Sequence, residues 1–176
     1  LANHYETIPD NEFLLEELFN TDFSRSYLAL KNLKGIESEL LWELLSKIWE
    51  RAEKDYGALY FLILLISSMG LTRNKDKEKI ESLLLSALDS KWPDFMKFKP
   101  VAILALMRYR PEQAVLNIKN WIDMEETPFW MNRYAALFST QMLSSHKGVE
   151  KHISKAQFDP NRFVRMKANS LLREPS

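Results

Sequence analysis

The chain has 176 residues, 46% of them hydrophobic, which is long and apolar enough for one domain with a sizeable core. Its formal net charge is zero, which argues against a dedicated nucleic-acid binder because such proteins usually carry a marked basic excess. The absence of cysteine excludes disulfides, thiolate zinc sites and cysteine nucleophiles, and it favours a cytoplasmic protein.

Helical periodicity runs through nearly the whole sequence. The apolar residues of 36–52 recur with the spacing of one helix face, and no stretch shows the sustained alternation of a strand. The most apolar run, 58–71, is shorter than the roughly 20 residues of a membrane span and predicts a buried helix. The predicted helices are 10–20, 22–34, 36–56, 58–70, 75–90, 93–109, 111–123, 128–145, 147–157 and 160–174.

The linkers between these helices are only a few residues long, so consecutive helices are expected to lie side by side as antiparallel hairpins. Pro100 lies inside a periodic run and predicts a kink or two short helices there. The first apolar run follows an acidic stretch, which is the wrong order for a signal peptide. The absence of methionine at position 1 indicates a boundary or processing upstream of Leu1.

Three segments in the C-terminal half, 99–109, 133–143 and 165–174, align with one another at offsets of 34 and 32 residues. Each begins with a basic residue, has alanine three positions later and follows a proline by five or six residues. The aligned positions are Lys99, Arg133 and Arg165; Ala102, Ala136 and Ala168; and Pro93, Pro128 and Pro160. This pattern indicates a two-helix unit repeated about every 33 residues.

The last unit resembles the HEAT-type α-solenoid repeat, on the residues Asp159, Pro160, Val164, Arg165, Ala168 and Leu172. The resemblance implies an all-α fold, a right-handed α-solenoid of about five antiparallel helical hairpins in a single domain, 1–176. It also implies a structural ladder in which an aspartate and an arginine six positions apart, here Asp159 and Arg165, bond across neighbouring repeats. The preceding unit departs from this pattern, with Thr127 where the aspartate would stand.

Motifs that carry chemistry are absent from the sequence: there is no HExxH, GxSxG, GxxxxGK[ST] or GxGxxG. No catalytic residue, cofactor or metal ligand is therefore predicted, and the expected protein is not an enzyme. One enzymatic alternative follows from the resemblance, because HEAT-like folds include DNA glycosylases with an aromatic-lined cleft and a carboxylate. Its candidate residues are Trp92 with Asp94, Trp121 with Asp123, and Trp130 near Glu126, although aromatic residues at helical spacing usually fill a core.

Two charged surfaces are candidate binding sites. Arg108, Arg133 and Arg162 would line a phosphate-binding groove if the repeats stack in register, or would instead serve inter-repeat bonds and solvation. At the acidic end, Glu12, Glu16 and Glu17 lie on the exposed side of the first helix, either as a solvated cap or as a docking site for a basic partner.

These observations favour a protein-binding module whose partner is a protein with a basic surface. The specific hypothesis is an immunity protein that binds and neutralises a cognate toxin. The alternatives are a HEAT-like DNA glycosylase or other nucleic-acid-binding protein, and a scaffold or adaptor fragment.

Overall fold

The computed structural model describes residues 10–89 and 98–173 of the chain. These residues form α-helices joined by short connections and include no strand, which confirms the all-α prediction. The helices are α1 (Asn11–Glu17), α2 (Phe23–Leu33), α3 (Ser38–Ala52), α4 (Tyr56–Ser68), α5 (Asn74–Leu88), α6 (Phe98–Tyr109), α7 (Pro111–Ile122), α8 (Trp130–Ser139), α9 (Glu150–Ala156) and α10 (Arg162–Arg173).

The helix ends differ from the predicted ones by a few residues. The largest difference is at the predicted helix 128–145, where α8 ends at Ser139 and a short 3-10 turn follows over Thr140–Met142. Pro100 lies in the first turn of α6 that the structure describes, and the predicted kink there stays a prediction because the preceding residues, 90–97, lie outside the described part of the chain. The predicted helix start at residue 93, together with Trp92 and Asp94, lies outside the described residues.

The chain divides into two compact units, Leu1–Leu71 and Thr72–Ser176. In the first, α2 packs against α1 and α4, and α3 packs against the same two helices. Seven residues of α4 are buried, as its nearly continuous apolar sequence predicts. None of the helices described is long and apolar enough to cross a membrane.

In the second unit, α6 packs against α5, α7 and α8, while α10 packs against α8 and α9. Ala102, Ala136 and Ala168, which occupy equivalent positions in α6, α8 and α10, are fully buried. Side chains this small let neighbouring helices approach closely. The sequence repeat therefore corresponds to equivalent buried positions in three helices.

A buried ion pair joins α8 to the turn that precedes α10. The Arg133 guanidinium donates from Nε and Nη2 to the two carboxylate oxygens of Asp159, at 2.7 and 2.9 Å. Only 2% of the Arg133 side chain and 4% of the Asp159 side chain are exposed. The remaining guanidinium nitrogen, Nη1, donates to the carbonyl oxygens of Thr127 and Pro128 at the start of α8.

Arg165 repeats part of this arrangement 32 residues later, at the equivalent position of the next sequence repeat. Its Nη1 donates to the carbonyl oxygens of Asp159 and Pro160, at 2.8 and 2.9 Å. These two carbonyl groups occupy the positions equivalent to those of Thr127 and Pro128. Asp159 itself accepts a backbone hydrogen bond from Asn161 at 2.8 Å. The carboxylate of Asp159 thus bonds to Arg133, whereas its carbonyl oxygen bonds to Arg165.

Substitution of Asp159 by asparagine is expected to lower the free energy of unfolding by about 3 kcal/mol, because it leaves the buried Arg133 guanidinium without its counter-charge. The matched control is Asp123→Asn, which removes the partner of the exposed Lys155 and is expected to cost about 1 kcal/mol or less. Urea unfolding followed by circular dichroism measures both. Equal losses in the two variants would contradict the structural role given to the buried pair.

The single-domain organisation over 1–176 stays a prediction, and calorimetry tests it. One domain is expected to unfold in a single transition whose calorimetric and van't Hoff enthalpies agree. Two resolved transitions would instead mean that the units on either side of Leu71 unfold separately.

Candidate functional site

An apolar groove of about 460 Å³ lies on the second unit where α6, α8 and α10 meet. We call it the aromatic groove. Its lining residues are Pro100, Leu104, Trp130, Met131, Tyr134, Ala135, Phe138 and Phe163. A volume of this size is within the range of small-molecule sites.

Helical spacing on α8 produces the aromatic wall of this groove. Trp130, Tyr134 and Phe138 follow one another at intervals of four residues and therefore lie on one face of the helix. The Trp130 and Tyr134 rings meet edge to face, with centroids 6.4 Å apart and an interplanar angle of 77°. Phe138 and Met131 keep 42% and 43% of their surface exposed, so the groove opens to solvent.

The other aromatic wall comes from α10. The Phe163 ring stacks on Trp130 with centroids 5.5 Å apart and an interplanar angle of 28°. Further along, the Lys167 ammonium lies 4.9 Å from the centroid of the Phe138 ring. Both contacts advance in the same direction along the two helices, so α8 and α10 run parallel, with matching faces towards the groove.

Two cationic groups lie against rings of the groove. Besides Lys167 over Phe138, the guanidinium carbon of Arg162 lies 4.7 Å from the centroid of the Phe163 ring. Among the described residues, no carboxylate forms an ion pair with either cation. The site therefore combines an apolar, aromatic lining with positive charge beside it.

A second pocket, of about 470 Å³, lies between the C-terminal end of α7 and α9. Within it, Lys155 donates a 2.7 Å hydrogen bond to Asp123. This bond holds the pKa of the Asp123 carboxyl below its usual range and raises the pKa of the Lys155 ammonium. The other carboxylate that lines this pocket belongs to Asp159 and is bonded to Arg133. The acidic groups of this pocket are thus already paired, which makes the aromatic groove the stronger candidate.

Two of the three glutamates in the predicted acidic site form ion pairs with arginines of the first unit. Glu16 accepts from Arg51 at 2.8 Å, and Glu17 accepts from Arg25 at 2.8 and 2.9 Å. Glu12 is exposed in the first turn of α1. The basic partners come from α2 and α3, so the local sequence of α1 overstated the acidity of this surface.

The predicted basic groove is spread over positions that differ in exposure. Arg133 is buried and bonded to Asp159, so its charge does not face solvent. Arg108 is exposed in the last turn of α6, close to the Tyr109 ring, whereas Arg162 is exposed in the first turn of α10.

Burial raises the pKa of the Tyr109 hydroxyl to about 12. The described residues include no group of three or more His, Asp or Glu side chains that could hold a metal ion.

Sequence reasoning missed Tyr134, Phe138, Phe163 and Lys167 as members of one site. The available signal was the spacing of Trp130, Tyr134 and Phe138, combined with the alignment of α8 on α10 through the repeat. The meeting of Phe163 with Trp130 depends on the packing of two helices and is not visible in either helix alone.

Comparison with known proteins gives two relatives of this chain. It is 35% identical over 139 residues to the bilin biosynthesis protein CpeY of Synechococcus sp. (strain WH8020), an alignment that covers 78% of this chain and 33% of that protein. It is 30% identical over 171 residues to the uncharacterized phycocyanin operon protein Y of Pseudanabaena tenuis (strain PCC 7409), covering 97% of this chain and 38% of that protein. No protein-family model and no solved structure matches the chain.

These relatives correct the functional expectations drawn from the sequence. The resemblance to HEAT-like repeat proteins and the immunity-protein hypothesis with its toxin partner are wrong, because the relatives are named for bilin biosynthesis and a phycocyanin operon. The nucleic-acid and adaptor alternatives find no support for the same reason. The expectation of a non-enzymatic protein is contradicted by the likeness to a biosynthesis protein.

The error has a physical origin. Repeated helices with a buried basic residue report how a protein packs and do not report what it binds. The chain spans about a third of the length of the curated relatives it matches, and over that third it is similar to a bilin biosynthesis protein.

Proposed function

We propose that this chain belongs to a protein that acts in bilin biosynthesis, and that the aromatic groove binds the bilin. The single observation that carries the proposal is the aromatic lining of the groove, with Trp130, Phe163 and Phe138 along one open cleft, in a chain 35% identical to CpeY. Aromatic rings and aliphatic side chains make up almost all of the lining.

The chemistry of a bilin fits this lining. A bilin is a linear tetrapyrrole whose conjugated rings offer flat apolar faces, and aromatic side chains prefer offset-stacked or edge-to-face contact with such rings. The groove is open along one side, which suits an elongated ligand that inserts sideways. A volume near 460 Å³ would hold a large part of such a ligand.

We assign to this chain the binding and orientation of the bilin, and to the whole protein the enzymatic step. The proposed partner is a phycobiliprotein that receives the pigment, consistent with a relative named for a phycocyanin operon. The expected location is the cytoplasm. The open side of the groove would leave part of the bilin accessible for its next reaction.

The helical pairs of the second unit are further proposed to stack as an α-solenoid. Support comes from the equivalent contacts of Arg133 and Arg165 and from the parallel course of α8 and α10. In such a stack, the second helix of each pair contributes to one continuous face. The aromatic groove would be a section of that face.

A titration of the purified chain with biliverdin tests the bilin site. Binding is expected to quench tryptophan fluorescence, since Trp130 would contact the pigment, and to change the visible absorption of the bilin. The variant Phe163→Ala is expected to weaken binding about 5- to 10-fold, because it removes one stacking ring.

The matched control is Phe158→Ala, which removes an aromatic ring that is 86% exposed and lies outside the groove. It is expected to leave biliverdin affinity unchanged. Absence of binding by the unmodified chain, or an equal loss in both alanine variants, would contradict the placement of the bilin in the aromatic groove. Circular dichroism of each variant confirms that the fold is retained.

A further inference from the structure

The two cations beside the aromatic groove, Arg162 and Lys167, have different contact partners from Arg133 and Arg165, the arginines near the starts of α8 and α10. Arg133 and Arg165 donate to a carboxylate or to backbone carbonyls at the helix starts. Arg162 and Lys167 instead lie over the Phe163 and Phe138 rings. The packing of the helices therefore uses one set of cations and leaves the other set at the groove.

The placement of this second set fits a ligand with two separated negative charges. Arg162 and Lys167 are five residues apart on α10, which corresponds to a rise of about 7.5 Å along the helix and a rotation of about 140° around its axis, so the two cations approach the groove from different sides of α10. Each cation lies against a different ring of the groove, 4.7 Å from Phe163 and 4.9 Å from Phe138. A ligand stacked on both rings would bring its side chains close to both charges.

A bilin carries two propionate groups, on its two central pyrrole rings, and both are ionised at neutral pH. Resting on the proposed function, we infer that Arg162 and Lys167 bind the two propionates and make the groove selective for bilins whose acid groups are free. Arginine can bind a carboxylate through two parallel hydrogen bonds, and lysine acts as a point charge. The aromatic rings would supply affinity for the tetrapyrrole, and the cations would supply discrimination among tetrapyrroles.

The flexible arms of these residues support such a role. In the structure both side chains rest on aromatic faces, where a cation is attracted at modest energy. A carboxylate is a stronger partner than a ring face. Arrival of the ligand would therefore exchange a cation–π contact for an ion pair without moving α10.

The test compares biliverdin with its dimethyl ester, which keeps the tetrapyrrole and removes both negative charges. The unmodified chain is expected to bind biliverdin at least about tenfold more tightly than the ester. The double variant Arg162→Gln/Lys167→Gln is expected to weaken biliverdin binding by about 10- to 50-fold and to change ester binding less than about twofold. Raising the salt concentration is expected to narrow the difference between the two ligands in the unmodified chain.

The matched control is Lys147→Gln/Arg173→Gln, which removes the same number of positive charges from exposed positions outside the groove. It is expected to bind both ligands as the unmodified chain does. Equal affinity of the unmodified chain for biliverdin and its ester would overturn the propionate assignment while leaving the bilin site in place. An equal effect of the two double variants would overturn it as well, and binding of neither ligand would overturn the proposed function itself.

Discussion

The buried ion pair between Arg133 and Asp159 holds the start of α10 against α8, and the aromatic groove depends on that placement. Both side chains are almost fully enclosed, and the guanidinium also donates to two carbonyl oxygens at the start of α8. A buried charge pair tolerates little displacement, because partial separation would leave two desolvated charges. The stacked contact between Trp130 and Phe163 lies close by in sequence on both helices and shares this constraint.

The helices were predictable because each carries its own periodic pattern of apolar residues, and the buried Ala102, Ala136 and Ala168 follow directly from the internal alignment. Helix ends were less predictable, as at Ser139, where a 3-10 turn replaces the expected continuation. The groove was not predictable from any one segment, since it requires the faces of three helices to meet. The spacing of residues within one helix does not show which face of another helix it will contact.

The acidic docking surface was predicted from the charges of one sequence segment, without the basic residues that other helices bring to it. Glu16 and Glu17 stand in a stretch without basic residues, yet Arg51 and Arg25 reach them from other helices. The aromatic groove also has no recognisable sequence motif. A site made of stacked rings and a few cations uses ordinary core residues, so it leaves no pattern that separates it from a hydrophobic core. Composition and residue spacing did not indicate the likeness to a bilin biosynthesis protein, which was found only when whole sequences were compared.

The basic residues of α10 make two kinds of contact, and under the proposed function only one kind takes part in ligand recognition. Arg165 faces the turn before the helix and donates to its carbonyl oxygens, whereas Arg162 and Lys167 rest on rings of the groove. The repeat specifies the first position, because Arg133 and Arg165 occupy equivalent places and both donate to carbonyl oxygens just before their helices. The other two positions fall outside the aligned basic column, so packing leaves them free to vary. Under the proposed function, residues that depart from the repeat and lie at the groove are therefore the ones through which ligand specificity would change.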